Sequence, residues 1–379
     1  MNKTQAVGRM GTGTWCVCLL LLAWVSACAG GPDSTSVTPV PATPVPVAPE
    51  PTSAATTAVL HILSSGDQID PDICDAFTHE TGIAVVESTY QIDDELIDML
   101  QRREEADLIL ASDQAFPRLN ALGLLARLDA AKLPNFKRVD ARLKALPYDP
   151  ANALSVPVLW GTAGILYRTD RHLKPLDSWQ SALDEARRNP ANTIALLDEP
   201  RAGVGAALKA LGLSLNSRNG AELQRANAWL TSRRGLIKLF DSAAWSDALV
   251  TGDIAIAQTY SNDAAFTQSS NANLRFAIPR EGAPLWVDSF ALPLSGKHPA
   301  EAAAFVDFAL RPEQAAQLAA YAYSLSSVPE AYNRMDAGRA TLLRSGYIPD
   351  DDTFKRLELV ADVGASLREY ERIWVELRK

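Results

Sequence analysis

The chain has 379 residues, of which 47% are hydrophobic, and a formal net charge of −9 at pH 7. A chain of this length and composition can bury the cores of two ordinary domains, and its acidic balance disfavours binding to nucleic acid or anionic lipid. Charge alone identifies no site, because acids bind a cationic ligand only where they converge.

The first 28 residues have the pattern of an export signal. Lys3 and Arg9 precede the apolar run TWCVCLLLLAWV, which is too short to span a membrane and stop there. The next residues, VSAC, match the lipobox of bacterial lipoproteins, in which the cysteine is lipidated and becomes the new N-terminus. We therefore predict a signal peptide at residues 1–27, lipidation of Cys28, and a membrane-anchored protein of the bacterial periplasm. The alternative is an ordinary secretory signal with a chance cysteine.

The segment that follows the signal is rich in Pro, Thr, Val and Ala and has almost no charge. Residues 28–57 cannot form a core and are predicted to be an extended tether, about 80–90 Å long if it is fully polyproline-like. Cys16 and Cys18 would leave with the signal, so only Cys74 would remain as a thiol, and no disulfide is expected.

From Ala58 onward, short β-rich runs alternate with amphipathic helices. AVLHIL is a predicted strand, and Asp70 followed by Pro71 predicts the start of the helix PDICDAFTHET, which Gly82 would end. IAVVESTY and DLILAS are predicted strands on either side of the helix DDELIDMLQRREE. This βαβαβ order favours a parallel sheet with crossover helices.

A second series has the same character, with the strands TIALL, LIKLF and DIAIAQTY and the helix RAGVGAALKALG. Two long apolar runs, SVPVLWGTAGILYR and LWVDSFALP, stand where one series gives way to the other and are predicted to cross a hinge. The predicted fold is therefore α/β, with two lobes and a ligand cleft between them. The predicted lobes are residues 58–165 plus 287–330 and residues 166–286 plus 331–379.

Acidic residues recur at the predicted carboxyl ends of strands, where open parallel sheets bind their ligands. They are Asp67 after the first strand, Asp113 after the third, Asp198 and Glu199 after TIALL, and Asp263 after DIAIAQTY. An Asp at a strand-to-helix junction is often an N-cap, and capping is the alternative role for Asp113, Asp198 and Asp263. Asp67 fits capping less well, because Asp70 already occupies that position.

Asp288 lies between large apolar residues in LWVDSFALP, where no capping role is available, so it is either a hydrogen-bonding residue of the hinge or a contact for a cationic ligand. Trp286 stands two residues earlier, on the same face of the predicted strand. A carboxylate beside a ring suits an alkylammonium ligand, through charge-assisted hydrogen bonds of about 1.5–3 kcal/mol and a cation–π contact of about 0.5–2 kcal/mol. Tyr260 near Asp263 repeats the pairing, and two such pairs across a cleft predict a diamine or polyamine ligand.

These residues, together with FTHETGIAVVESTY, ADLILASD, ALRPEQAAQLA and ADVGASLREYERIWVELR, resemble the spermidine/putrescine-binding proteins that deliver polyamines to ABC importers. The similarity runs from about residue 58 to residue 379. It implies a periplasmic-binding-protein-like fold whose two α/β lobes close on the ligand by hinge motion. By position it also implies ligand contacts from Asp67, Asp113, Glu199, Tyr260, Asp263, Trp286 and Asp288.

The chain departs from the family's pattern after the first strand. The family usually has Tyr-Asn-Trp-x-acid-Tyr there, whereas residues 63–68 read LSSGDQ, so the charge is kept and both ligand-stacking rings are missing. An acid usual near Ala202 and a polar residue usual near Val360 are also missing, and the family's C-terminal tyrosine corresponds to Tyr321 or Tyr323. These departures suggest a different, longer or bulkier amine, or weak affinity.

The leading prediction is a monomeric, lipid-anchored substrate-binding protein of an ABC importer for a polyamine or related organic cation, with a permease and an ATPase as partners. The alternative is a sensor or scaffold that keeps the fold and signals to a membrane partner. An enzyme is not expected, since the sequence has no G-x-S-x-G, P-loop or Rossmann glycine pattern. The four histidines show no metal-ligand spacing, so neither a metal nor a cofactor is predicted.

Overall fold

The structure is a computed structural model that describes residues 58–66, 68–171, 174–189, 191 and 193–379. The predicted signal peptide, the lipidation site at Cys28, the tether and Asp67 lie outside the described residues. Within those ranges, no helix is both long enough and apolar enough to cross a bilayer.

Strands and helices alternate along most of the chain. The strands are β1 (Val59–Ser64), β2 (Ala84–Thr89), β3 (Leu108–Ser112), β4 (Leu125–Ala126), β5 (Ser155–Arg168), β6 (Ile194–Leu196), β7 (Ile237–Phe240), β8 (Ile256–Tyr260), β9 (Leu274–Ala277), β10 (Pro284–Pro293), β11 (Leu325–Ser326) and β12 (Glu358–Leu359). The helices are α1 (Pro71–Thr81), α2 (Asp93–Gln101), α3 (Phe116–Ala121), α4 (Trp179–Arg188), α5 (Pro200–Ala210), α6 (Gly220–Thr231), α7 (Trp245–Thr251), α8 (Ser261–Ser269), α9 (Pro299–Ala309), α10 (Pro312–Tyr321), α11 (Ala337–Arg344), α12 (Asp351–Phe354) and α13 (Leu367–Arg378).

The parallel pairing predicted for each series is confirmed. In the first series, β1 is parallel to β2 and to β3, and in the second, β6 is parallel to β7 and to β8. Helix α1 begins as predicted, because the Asp70 side chain accepts a hydrogen bond from the backbone N–H of Asp72 at 3.0 Å. It ends at Gly82, whose φ of 75° is a left-handed conformation that glycine adopts without strain.

Strand β5 joins the two series, and it matches the predicted run SVPVLWGTAGILYR from its first residue to its last. Its first part pairs antiparallel with β10, up to Thr162 opposite Leu285, and its last part pairs with β8 and β9 from Ala163 onward. The strand order is β2-β1-β3-β10-β5-β8-β6-β7. A strand with neighbours on both edges and layers on both faces must be apolar throughout, which explains the unbroken hydrophobic run.

Helix α13 packs on α5 through a tryptophan. The ring of Trp374 occupies the place that a Cβ at Gly203 would need, so this glycine permits close contact between the two helices. The Trp374 indole donates a hydrogen bond to Asp198 at 2.9 Å. The capping role considered for Asp198 is therefore wrong: its carboxylate holds the C-terminal helix, and Glu199 is the residue at the α5 N-cap position.

Candidate functional site

A cavity of about 650 Å³ is lined by residues from the segment after β1, from the ends of β3 and β8, from β10 and α8, and from the chain that leads into β11. On one edge of β5, Asp288 of β10 is opposite Leu159, and on the other edge Ser326 of β11 is opposite the same residue. The cavity is therefore flanked by β10 on one side and by the chain that leads into β11 on the other. It is lined by Ser65, Gly66, Gln68, Ser112, Asp113, Gln114, Tyr260, Asn262, Asp263, Phe266, Trp286, Asp288, Tyr321, Ala322, Tyr323 and Ser324.

Asp288 is 9% exposed and lies in the cavity wall. The side-chain amide of Gln68 donates a hydrogen bond from Nε2 to Asp288 Oδ2 at 2.7 Å. Burial raises the pKa of Asp288 to about 7, against the lowering effect of the Gln68 hydrogen bond, and the charge of Asp93 adds to the increase. The carboxyl group is thus protonated part of the time near neutrality, and a cation beside it would favour the ionised form.

Asp113 lies at the end of β3 and reaches across to β10. Its Oδ1 accepts a hydrogen bond from the backbone N–H of Val287 at 3.1 Å. Burial raises the pKa of Asp113 to about 7, the Val287 hydrogen bond opposes this, and the charge of Asp288 adds to the increase. The capping alternative is wrong here, because Ala115 is at the α3 N-cap position and receives no side-chain cap.

Asp263 lies in the first turn of α8, after the N-cap position at Tyr260, so the capping alternative is wrong for this residue too. Burial, followed by the charge of Glu199, raises the pKa of Asp263 to about 6. The hydroxyl of Tyr260 donates to Glu199 Oε2 at 2.7 Å, and burial raises the pKa of this phenol well above its usual value. Glu199 does not line the cavity itself. It accepts the hydrogen bond from Tyr260, and its charge contributes to the raised pKa of Asp263.

Trp286 presents its ring to the cavity beside Asp288. Its cross-strand partner on β5 is Gly161, and a Cβ there would overlap both the indole ring and the hydroxyl of Ser261. That hydroxyl also accepts a hydrogen bond from the backbone N–H of Thr162 at 3.1 Å. Glycine at position 161 is therefore needed for the ring to lie against β5, and the ring position is fixed by the backbone of two strands.

The cavity carboxyl groups are bonded to neutral donors. Asp288 is bonded to an amide, Asp113 to a backbone N–H, and Asp263 to the amide of Asn262 at 3.2 Å. Among the described residues, none of the three has a Lys or Arg ion-pair partner. The described part of the chain also has no group of three or more His, Cys, Asp or Glu that could hold a metal ion. Two buried acids, Asp113 and Asp288, and the half-buried Asp263 thus lie beside aromatic rings without a protein cation, an arrangement whose charge suits an organic cation.

Comparisons with known proteins identify the family. The sequence pattern of the bacterial extracellular solute-binding proteins matches residues 72–340, more than half of the chain. The chain belongs to the bacterial extracellular solute-binding proteins.

This solute-binding protein has relatives and structural neighbours along most of its length. It is 32% identical over 285 residues to the putrescine/agmatine-binding protein of Pseudomonas aeruginosa, with 71% of this chain and 77% of the relative covered. The crystal structure of the spermidine/putrescine ABC transporter substrate-binding protein of Streptococcus pneumoniae superposes with a TM-score of 0.79 at 26% identity, covering 85% of this chain and 98% of the other. That of the Tp0655 lipoprotein of Treponema pallidum superposes with a TM-score of 0.71 at 24% identity, covering 84% and 99%.

These likenesses confirm the predicted fold, a periplasmic-binding-protein-like α/β fold of two lobes. They also confirm that this is a family of binding proteins and not of enzymes. The lobe boundaries and the ligand-contact roles of individual residues stay predictions. Five of the predicted contact residues line the cavity of this solute-binding protein: Asp113, Tyr260, Asp263, Trp286 and Asp288.

Sequence reasoning missed two features of the cavity. It did not assign Gln68 a role, although Gln68 holds Asp288 from the position where the family usually has a tyrosine. It also missed Phe266, which lies one helical turn after Asp263 and is 62% exposed. The signal available for Phe266 was its spacing of three residues from an acid at a helix start, which places both on one helix face. Tyr323, left as an alternative to Tyr321, lines the cavity together with it.

Proposed function

We propose that this protein is the substrate-binding component of an ABC importer for an organic cation with two or more amine groups, a polyamine or a related amine. The observation that supports this most directly is the convergence of Asp113, Asp288 and Asp263 on one cavity without a protein cation. Asp113 and Asp288 lie on the β10 side and Asp263 at the start of α8, so an α,ω-diamine would place one ammonium group near each. Trp286 and Tyr260 add ring faces that attract ammonium groups.

The relatives support the same ligand class. One is named for putrescine and agmatine and another for spermidine and putrescine, all of them small organic cations. The missing rings after β1 distinguish this chain from the family's usual pattern, and Gln68 occupies one of those positions. We therefore propose that the amine differs from the usual polyamines, or binds more weakly.

The first test is a thermal-shift panel of putrescine, cadaverine, spermidine, spermine, agmatine and basic amino acids at pH 8. A ligand at 100 times its dissociation constant adds about 2.7 kcal/mol to the free energy of unfolding. We expect at least one amine to raise the melting temperature. No shift from any of these ligands would contradict the proposed ligand class and favour the sensor or scaffold alternative.

The second test replaces one carboxyl group. Asp288→Asn keeps the shape but removes the charge, and we expect it to weaken amine binding by about 100-fold, which corresponds to about 2.7 kcal/mol, because a buried charge pair is lost. Asp352→Asn is the matched control, since its side chain is 80% exposed and pairs with Lys355 at the surface. Calorimetry that gave equal affinities for Asp288→Asn and the control would refute the assignment.

Anchoring and transport complete the proposal. Lipidation of Cys28 would tether the binding protein to a membrane, close to a permease and ATPase. Cells fed labelled palmitate should yield a labelled protein, and Cys28→Ala should abolish the label; label on the variant would refute this site. Loss of amine uptake on deletion of the gene would support transport, whereas purified protein that binds amines without any effect on uptake would support the sensor.

A further inference from the structure

The side of the cavity opposite β10 is aromatic. We call it the aromatic side, and it consists of Phe266, Tyr321 and Tyr323. Because β10 and β11 flank opposite edges of β5, and neighbouring strands are about 4.8 Å apart, roughly 10 Å separates Asp288 from β11. Tyr321 and Tyr323 lie on the chain that leads into β11, and Phe266 of α8 contacts Tyr323. A ligand longer than a short diamine, held by the acids, therefore reaches the aromatic side.

A cation already lies against this side. The guanidinium carbon of Arg339 is 3.5 Å from the centroid of the Tyr323 ring. Hydrogen bonding by Arg339 lowers the pKa of the Tyr323 phenol. Arg339 Nη1 is buried without a hydrogen-bond partner, and among the described residues no Asp or Glu forms an ion pair with this side chain. Arg334, five residues earlier, instead pairs with Glu313 at 3.1 Å. The Arg339 guanidinium group thus has no ion-pair partner among the described residues, and the nearby Asp336 carboxylate accepts a hydrogen bond from the backbone N–H of Arg339 at 2.9 Å.

The position of the Tyr323 ring is set by an unusual backbone conformation. Tyr323 has a φ of 51°, a left-handed conformation that costs a residue other than glycine about 1 kcal/mol or more. The Phe266 and Tyr323 rings are nearly perpendicular, at 81°, with a centroid distance of 5.1 Å. The Tyr323 ring therefore contacts both Phe266 and Arg339, and Tyr323 lines the cavity.

Two physical consequences follow for a bound ligand. A ring that already carries a guanidinium group on its face attracts a second cation less, and the positive charge of Arg339 repels an ammonium group nearby. The apolar surfaces of Phe266, which is 62% exposed, and Tyr321, which is 39% exposed, would be covered favourably by hydrocarbon or an acyl group. Both effects favour an uncharged part of the ligand at this place.

We infer that the aromatic side takes an uncharged segment of the ligand, and that Arg339 is a specificity-determining residue that excludes a further ammonium group from it. The ligand class is then an amine whose charged groups lie with the acids and whose remaining end is neutral, such as an N-acylated polyamine. This inference rests on the proposed function, because it assumes that the acids hold ammonium groups.

The test compares two ligands of equal carbon chain and different charge. Spermidine has three ammonium groups, whereas its N1- and N8-acetyl derivatives each have two and a neutral end. By calorimetry at pH 8 we expect the tighter of the two acetyl derivatives to bind about tenfold more strongly than spermidine to the unaltered protein. Equal or tighter binding of spermidine would overturn the inference while leaving the proposed function intact. Absence of binding by all three would overturn the inference, and it would overturn the proposed function as well if no other amine of the thermal-shift panel binds.

Three variants test whether the charge of Arg339 causes the preference for the acetyl derivatives. Arg339→Gln removes the charge, and we expect the preference to fall to about twofold or less, mainly through tighter binding of spermidine. Arg339→Lys keeps the charge and should keep most of the preference, and Arg334→Gln is the control for a lost arginine charge on the same segment and should change nothing. A full tenfold preference in Arg339→Gln would show that Arg339 does not determine it. If Arg339→Gln fails to fold, loss of the preference in Arg339→Lys would still contradict a role for the charge, and absence of the preference in the unaltered protein would overturn the inference.

Discussion

Amine binding by this protein should be coupled to proton release. Burial raises the pKa of Asp113 and Asp288 to about 7 and that of Asp263 to about 6, so the empty cavity holds protons at mildly acidic pH. An ammonium ligand binds the ionised carboxylates, so these protons must leave. Affinity is then expected to fall as the pH falls from 8 to 5.5, and the stability of the empty protein to change in the opposite direction.

The size of both effects follows from the pKa values. For one carboxyl group with a pKa of about 7, lowering the pH from 8 to 5.5 reduces the ionised fraction, and with it the affinity, about 30-fold, or about 2 kcal/mol. If Asp113 and Asp288 both release a proton, the loss is about 1000-fold. The slope of the logarithm of the affinity plotted against pH gives the number of protons released on binding, and we expect a slope between one and two.

The stability of the empty protein changes with pH in the opposite direction to the affinity, because the folded-state pKa values of Asp113 and Asp288 lie above the unfolded value near 3.8. Between these values the folded state binds more protons than the unfolded state, so the free energy of unfolding decreases as the pH rises through 7. Each group with a pKa of about 7 should cost about 2 kcal/mol of stability between pH 5.5 and pH 8. The empty protein should therefore be more stable at pH 5.5, and ligand should stabilise it mainly at pH 8.

Calorimetry in two buffers of different ionisation enthalpy measures the released protons directly, and thermal unfolding at pH 5.5 and 8 measures the stability change. Asp288→Asn should reduce the number of protons released on binding. Equal amine affinity at both pH values, or an empty protein that is less stable at pH 5.5, would refute the reasoning.

Two further substitutions test how the site is built. Gly161→Ala should lower the free energy of unfolding by about 1–3 kcal/mol and weaken amine binding, because the added Cβ overlaps the Trp286 ring. Urea unfolding measures the change in stability. Gly220→Ala is the control, because a Cβ there meets nothing within 4 Å. Tyr260→Phe removes the hydroxyl that donates to Glu199 but keeps the ring, so the free energy of unfolding should fall by about 1–2 kcal/mol. The amine affinity measured by calorimetry should change less than threefold. A large loss of affinity would show that the hydroxyl itself contacts the ligand.

Local patterns of the sequence predicted most of the architecture. Alternation of short apolar strands with capped helices indicated parallel sheets in two series, and the unbroken run at 155–168 indicated a long β segment that crosses from one series to the other. Asp288 could be singled out because an acid in the middle of such a strand needs an explanation other than capping. These properties depend on side-chain periodicity within about 10 to 15 residues, which the sequence displays directly.

The pairing of side chains across the chain was decided only by the tertiary structure. The hydrogen bond between Gln68 and Asp288 joins residues 220 positions apart. Capping remained an alternative for Asp113 until the structure placed its carboxylate on the backbone of β10, and Arg339 became relevant only through the ring of Tyr323. Charge, pKa and ligand specificity depend on such contacts, and the free energy of each contact is set by burial and distance, which local pattern does not contain. The sequence by itself therefore determined the fold class and the acidic character of the cavity, and the folded chain decided which acids, rings and cations share it.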